Sequence, residues 1–134
     1  MPKLGCLKIV LFVITILPLH AYGEWVLYGE RERERERENG DKLYYHTINK
    51  KIEGFYKIVW ILADFKLPRN EITNSGTARI KVDCKRQKYH YLNFIYYAGP
   101  MATGEKNREV SSKKRDWITP KKNTPYMVLF KELC

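Results

Sequence analysis

The residues able to do chemistry in this 134-residue chain are few and scattered. They include the cysteines Cys6, Cys84 and Cys134, the two histidines beyond residue 23, His46 and His90, the serines Ser75, Ser111 and Ser112, and the aspartates Asp64 and Asp83. A hydrolytic centre needs a nucleophile beside a base, a pair of carboxylates, or a metal cluster. The serines stand in loop-like sequence with no nucleophile signature around them, and no glycine-rich phosphate loop is present. His46 and His90 fall in strand-like runs, where a histidine serves structure or surface. Asp64 and Asp83 could meet across neighbouring strands, but an aspartate at a strand end is ordinarily solvated or paired with lysine. The two histidines and the separated cysteines lack metal-ligand spacing. The chain therefore reads as a non-enzyme with no metal and no cofactor.

The N-terminus assigns a compartment. Lys3 and Lys8 give a short positive leader, the run Ile9–Leu17 is apolar, and Pro18 precedes a small-residue exit at Ala21-Tyr22-Gly23. That is the layout of a secretory signal peptide over residues 1–23, and the apolar run is shorter than the roughly 20 residues of a spanning helix. The domain is then 24–134, exported to the periplasm or cell surface, with no transmembrane helix in the mature chain. Cys6 leaves with the leader, and it precedes the apolar run where a lipid-attachment cysteine would follow it. Cys84 and Cys134 remain, and an exported domain with two cysteines most simply joins them in one disulfide.

Charge narrows the partners. The chain carries 25 Lys+Arg against 15 Asp+Glu, a formal net charge of +10. Basic clusters stand at Lys50-Lys51, Lys85-Arg86-Gln87-Lys88, Lys113-Lys114-Arg115 and Lys121-Lys122. Export argues against nucleic acid, so the expected partners are acidic polymers, anionic glycans or acidic segments of host or matrix proteins. The candidate binding residues are Lys85, Arg86, Lys88, Lys113, Lys114 and Arg115, with Tyr89, Tyr91 and Tyr97 as exposed contact area. A homodimer is compatible with such a surface. The alternating Glu30–Glu38 run reads as a solvated loop or hairpin, closed by a turn at Asn39-Gly40.

These groups need elements to carry them. Thirteen per cent aromatic residues and ten tyrosines favour strands. Trp25–Tyr28 and Leu43–Ile48 read as strands, and Gly54 marks a turn. Tyr56–Phe65 is apolar on both faces, as in a central strand covered on both sides. Ala78–Cys84 alternates, with Ala78, Ile80, Val82 and Cys84 on one face. The basic turn at Lys85–Lys88 makes a hairpin with Tyr89–Tyr97, whose core face is expected at Leu92, Phe94 and Tyr96. Ala98–Arg115 reads as a long surface loop, and Asp116–Ile118 as a short strand. Thr124 caps a terminal helix with Pro125 at its first position, and Tyr126, Leu129, Phe130 and Leu133 form its apolar stripe. The expected fold is α+β: one antiparallel sheet of about five or six strands with a C-terminal helix tethered by the disulfide.

In this order the chain resembles the surface-adhesin protein E-like family of bacterial exported proteins. The matching features are a leader, Trp25 in the first strand, Tyr44-Tyr45 in the second, Trp60 in a hydrophobic strand and the Val82-Asp83-Cys84 strand end. A Tyr-rich strand with a Gly104 loop, Trp117, Pro120 and a helix closing on Cys134 complete the pattern. The resemblance implies an antiparallel sheet with a disulfide-linked terminal helix, and adhesion to host or matrix proteins. Two features depart from it: no lipid-attachment cysteine follows the apolar run, and the Arg-Glu repeat has no counterpart. The alternative function is a periplasmic structural or stress-related protein of the same fold without a host ligand.

Overall fold

The computed structural model describes residues 25–33, 36–46, 51–113 and 116–134. Residues 1–23, read from the sequence as a leader, and Lys114 and Arg115 lie outside them. The elements are β1 (Trp25–Arg33), β2 (Glu36–His46), β3 (Lys51–Glu53), β4 (Tyr56–Arg69), β5 (Thr73–Asp83), β6 (Lys88–Tyr97), β7 (Lys106–Ser111) and α1 (Pro125–Leu133). They make one antiparallel sheet in the order β1-β2-β4-β5-β6-β7, with β3 pairing β4 on the edge shared with β2. The expected architecture, a single antiparallel sheet with one C-terminal helix, is the one observed.

Alternation along the central strands separates the sheet into two faces. Val59 and Ile61 of β4, Ala78, Ile80 and Val82 of β5, and Tyr89 of β6 are buried beneath the helix, which contributes Leu129, Phe130 and Leu133. The apolar stripe of α1 is the expected one. Nine residues make a helix that is marginal alone, so its packing and tether must hold it. The tether is the disulfide between Cys84, just past β5, and Cys134, at the last residue. Lys57 adds a hydrogen bond from its ammonium to the Leu133 carbonyl at the helix end.

At the other end of α1, Gly29 permits close approach. A Cβ at position 29 would stand 2.9 Å from the Pro125 Cβ, closer than two carbons can pack. Gly29→Val is therefore expected to push the helix N-terminus off β1 and to destabilise the fold by about 1–3 kcal/mol. Chemical denaturation checks this, with Gly54→Ala, a strained turn position that meets no neighbour, as the comparison.

Several sequence expectations are corrected. The hairpin does not turn at Asn39-Gly40. Tyr45 pairs with Val26 and Leu43 with Gly29, and extending that register brings Arg33 opposite Glu36. Asn39-Gly40 instead falls in the stretch where the ladder shifts between Arg31 and Arg33, a place for irregular backbone. In β6, Tyr91 pairs with Ile80 but Asn93 pairs with Arg79, so Leu92 is the extra residue of a bulge. The bulge reverses the alternation, and Tyr89 and Tyr91 share the helix face with Phe94, whereas Leu92 does not belong to it. Residues 98–115 are not all loop, because Lys106–Ser111 forms the edge strand β7. Asp116–Ile118 yields a single bridge, Ile118 to Tyr89, rather than a strand. Thr124 stands at the helix N-cap, yet its hydroxyl donates backward to the Lys121 carbonyl at 2.6 Å. Finally, β4 is not fully covered on its second face, where Ile58 and Trp60 are only half-buried.

Candidate functional site

The groups that looked reactive in the sequence hold the fold. Ser75 donates from Oγ to the Gly99 carbonyl at 2.7 Å and accepts from the Ala102 amide at 2.9 Å. Asp64 accepts from the Met101 amide at 2.9 Å, so strand-end polar groups clamp the turn after β6. Asp83 accepts from the Lys85 and Arg86 amides at 3.1 and 3.0 Å and shapes the basic turn. The two aspartates do not meet: Asp64 pairs with Ser75, whereas Asp83 pairs with Tyr56. Among the described residues, no three histidines, cysteines, aspartates or glutamates gather in a metal-binding group.

His46 and His90 are edge-on to tryptophans, at 4.9 Å from Trp25 and 4.5 Å from Trp117 between ring centroids. Burial lowers the His46 pKa from its ordinary 6.5 by disfavouring the imidazolium. A group with a depressed basic pKa stays neutral in the folded state while the unfolded chain takes up the proton first. Its contribution is thus complete above about pH 6.5 and declines as the pH falls below that value. Thermal melts between pH 7.5 and 5 should show the stability gap between wild type and His46→Gln narrowing with acid. A gap independent of pH would contradict this assignment.

The sheet face turned away from the helix carries a different chemistry. Paired residues project to the same side, which places Tyr56, Asp83 and Lys88 in one row, Lys81 and His90 in the next, and Trp60, Arg79 and Asn93 in a third. Cations lie over rings across this face. The Lys81 ammonium is 4.5 Å from the Tyr56 ring centroid, and the Arg79 guanidinium is 6.0 Å from that of Trp60. Trp117 stacks on Tyr56 at 5.7 Å and extends the aromatic surface. The carboxylates nearest in register are Asp64 and Asp83; both accept backbone amides, and Asp83 also pairs with Arg86 Nε at 3.8 Å.

Of the basic residues singled out from the sequence, Lys85, Arg86 and Lys88 stand at the end of this face, and Lys114 and Arg115 lie outside the described residues. Lys85 and Arg86 are exposed in the turn between β5 and β6, and Lys88 opens β6 half-buried. Lys113 is exposed and follows Ser112, whose amide donates to the Leu92 carbonyl. Ile118 bridges to Tyr89, the residue after Lys88 at the start of β6. The neighbouring β3–β4 turn presents two large apolar side chains, Ile52 at 74% exposure and Phe55 at 84%. Gly54, with φ of 60°, makes that turn.

Tyr89 and Tyr91 do not fit the expected role. Tyr89 is only 6% exposed and stacks on Tyr126 of α1 at 4.5 Å. The Tyr91 and Tyr126 hydroxyls share a hydrogen bond, and burial beside Tyr91 pushes the Tyr89 and Tyr126 phenols well above their ordinary range. These rings therefore anchor the helix, and the aromatic contact area on the open face comes from Tyr56, Trp60 and Trp117. Sequence reasoning missed these three as surface groups. Strand parity in β4 could have revealed two of them, because Tyr56 and Trp60 share the face opposite Val59 and Ile61. Trp117 had no such signal.

Residues 25–134 match the family model for surface-adhesin protein E, and the chain belongs to that family. No curated protein and no solved structure matches the chain. Among the described residues, no helix is long and apolar enough to cross a membrane.

Proposed function

We propose that this member of the surface-adhesin protein E family is an exported, non-enzymatic binding module. It engages acidic segments of host or matrix proteins through the sheet face opposite its helix. Family membership supports the adhesive role, and one observation carries the choice of surface: Lys81 over Tyr56 and Arg79 over Trp60 on a face the helix leaves open. A cation held against a ring keeps its charge for a carboxylate or sulfate while the pair offers flat apolar area. Exposed Lys85 and Arg86 extend the positive field, and Ile52 and Phe55 offer apolar contacts at its margin. Anionic glycans would meet the same cations without using the apolar rim. Lys114 and Arg115 continue the basic segment in sequence after Lys113 and are proposed to add to its field. Dimerisation would enlarge the surface by avidity.

Location tests this reading first. Protease added to intact cells should digest the protein as readily as it does after permeabilisation. Protection until permeabilisation would overturn the adhesive role and leave a periplasmic module that shares the fold.

A further inference from the structure

The helix covers only part of its own sheet face. Beyond its N-terminus lies a half-open cavity of about 440 Å³. Its floor includes Leu43, Ala63 and Ala78, and its walls are formed by Tyr28, Phe94, Tyr96, Pro125 and Tyr126. Sites for small organic ligands run from about 300 to 1,000 Å³ and combine such apolar lining with a few placed polar groups. Here the charged groups are all cationic where they remain accessible. Arg31 and Arg69 line the cavity with side chains 48% and 40% exposed, and both contact a single carboxylate, that of Asp41, at 2.9 and 3.5 Å.

Asp41 is 1% exposed and also accepts the Lys66 amide at 3.2 Å, so it is a buried anchor rather than a charge offered to a ligand. Each guanidinium contacts Asp41 through one nitrogen and has five N–H donors in all. Arg69 is held in place by lying 4.2 Å over the Phe65 ring. The end of α1 that borders the cavity adds positive potential, since its first turn has no acidic residue and its cap hydroxyl points elsewhere.

We propose that this cavity binds a small apolar molecule bearing one carboxylate, of the medium-chain fatty-acid class, with its tail over Ala63 and Ala78 and its head on Arg31 and Arg69. The site goes beyond the proposed adhesive surface and lies on the opposite face of the sheet. A pocket of this size suits a single chain, and two guanidiniums around one buried carboxylate leave a net positive charge for the ligand to neutralise.

Calorimetric titration of the purified, disulfide-intact protein with decanoate tests the proposal, with 1-decanol and decyl sulfate as head-group arms. Decanoate should bind at one site per chain, and 1-decanol about ten- to a hundredfold more weakly, the ratio expected for losing charge-assisted hydrogen bonds. Decyl sulfate binding equal to decanoate would keep the anionic head and widen its class; binding far tighter would overturn the carboxylate assignment. Ala63→Phe, which fills the floor, should abolish binding, and Arg31→Gln with Arg69→Gln should reproduce the decanol deficit. Arg79→Glu with Lys81→Glu, on the other face, should leave decanoate binding unchanged. No saturable decanoate binding, equal affinity for decanol and decanoate in the wild type, or full binding by Ala63→Phe would each overturn the proposal. The first two readouts use the unaltered protein and stand even if a variant fails to fold.

Discussion

Replacing Cys84 and Cys134 with serine should cost about 4 kcal/mol of folding stability, the loss expected for opening a loop of this length. The two cysteines are separated by 50 residues, so the unfolded chain regains a large conformational freedom when the link is cut. For a domain of this size the change amounts to a fall in Tm of roughly 15–30 °C. The structural consequence follows from the position of the bond. Cys134 ends a nine-residue helix that has no independent stability, and Cys84 ends the most regular alternating run in the chain. Cutting the tether therefore frees the last element first. Scanning calorimetry with and without reductant measures the loss, and the near-ultraviolet signal of Tyr89 and Tyr126 should fall before the far-ultraviolet sheet signal. Coincident melts with an unchanged Tm would contradict the role assigned to the bond.

Leu129→Ala should cost about 2–5 kcal/mol. Leu129 is fully buried between the helix and the faces of β4 and β5, with Val59 and Ile80 equally inaccessible beneath it. Its removal leaves a cavity that the sheet cannot close, because the backbone ladder fixes strand spacing. Val128, one residue earlier, is 45% exposed, and its truncation should change stability by about 0.5 kcal/mol or less. Urea denaturation of the two variants separates packing from helix propensity, since both substitutions place alanine in the same helix. Similar losses at the two positions would mean that the helix does not pack as described. A domain with a typical 5–15 kcal/mol of stability retains its fold with either change, but Leu129→Ala together with the cysteine replacements should approach the limit.

Much of the architecture was legible because it rests on regular alternation. Ala78, Ile80 and Val82 show their face directly, and Tyr126, Leu129, Phe130 and Leu133 mark one side of a helix. Two features escaped for related reasons. The β6 bulge at Leu92 inverts the parity of the strand, so Tyr89 and Tyr91, which looked like surface groups, pack under α1. Strand β7 makes its ladder with β6 while only Val110 among its side chains is even half-buried, so nothing in Lys106–Ser111 alternates. The candidate site was half visible. Its cations at Lys85, Arg86 and Lys113 stand out as charge runs, whereas Arg79 and Lys81 read simply as the solvent face of a strand. Their pairing with Trp60 and Tyr56 depends on the register between β4 and β5, which brings together residues about 20 apart in the chain.

The most direct test of the binding face compares charge reversal on it with an equal reversal elsewhere. Heparin, used as a defined polyanion, is titrated against the wild type, against Arg79→Glu with Lys81→Glu, and against Lys121→Glu with Lys122→Glu. The two double variants change net charge equally, and Lys121 and Lys122 are exposed in the segment before α1. The account predicts a loss of affinity of about tenfold or more for the face variant, as expected when charge-assisted contacts are removed, and a loss several times smaller for the control. Equal losses in the two would show that net charge alone attracts the polyanion and that the ring-backed cations are not its binding site.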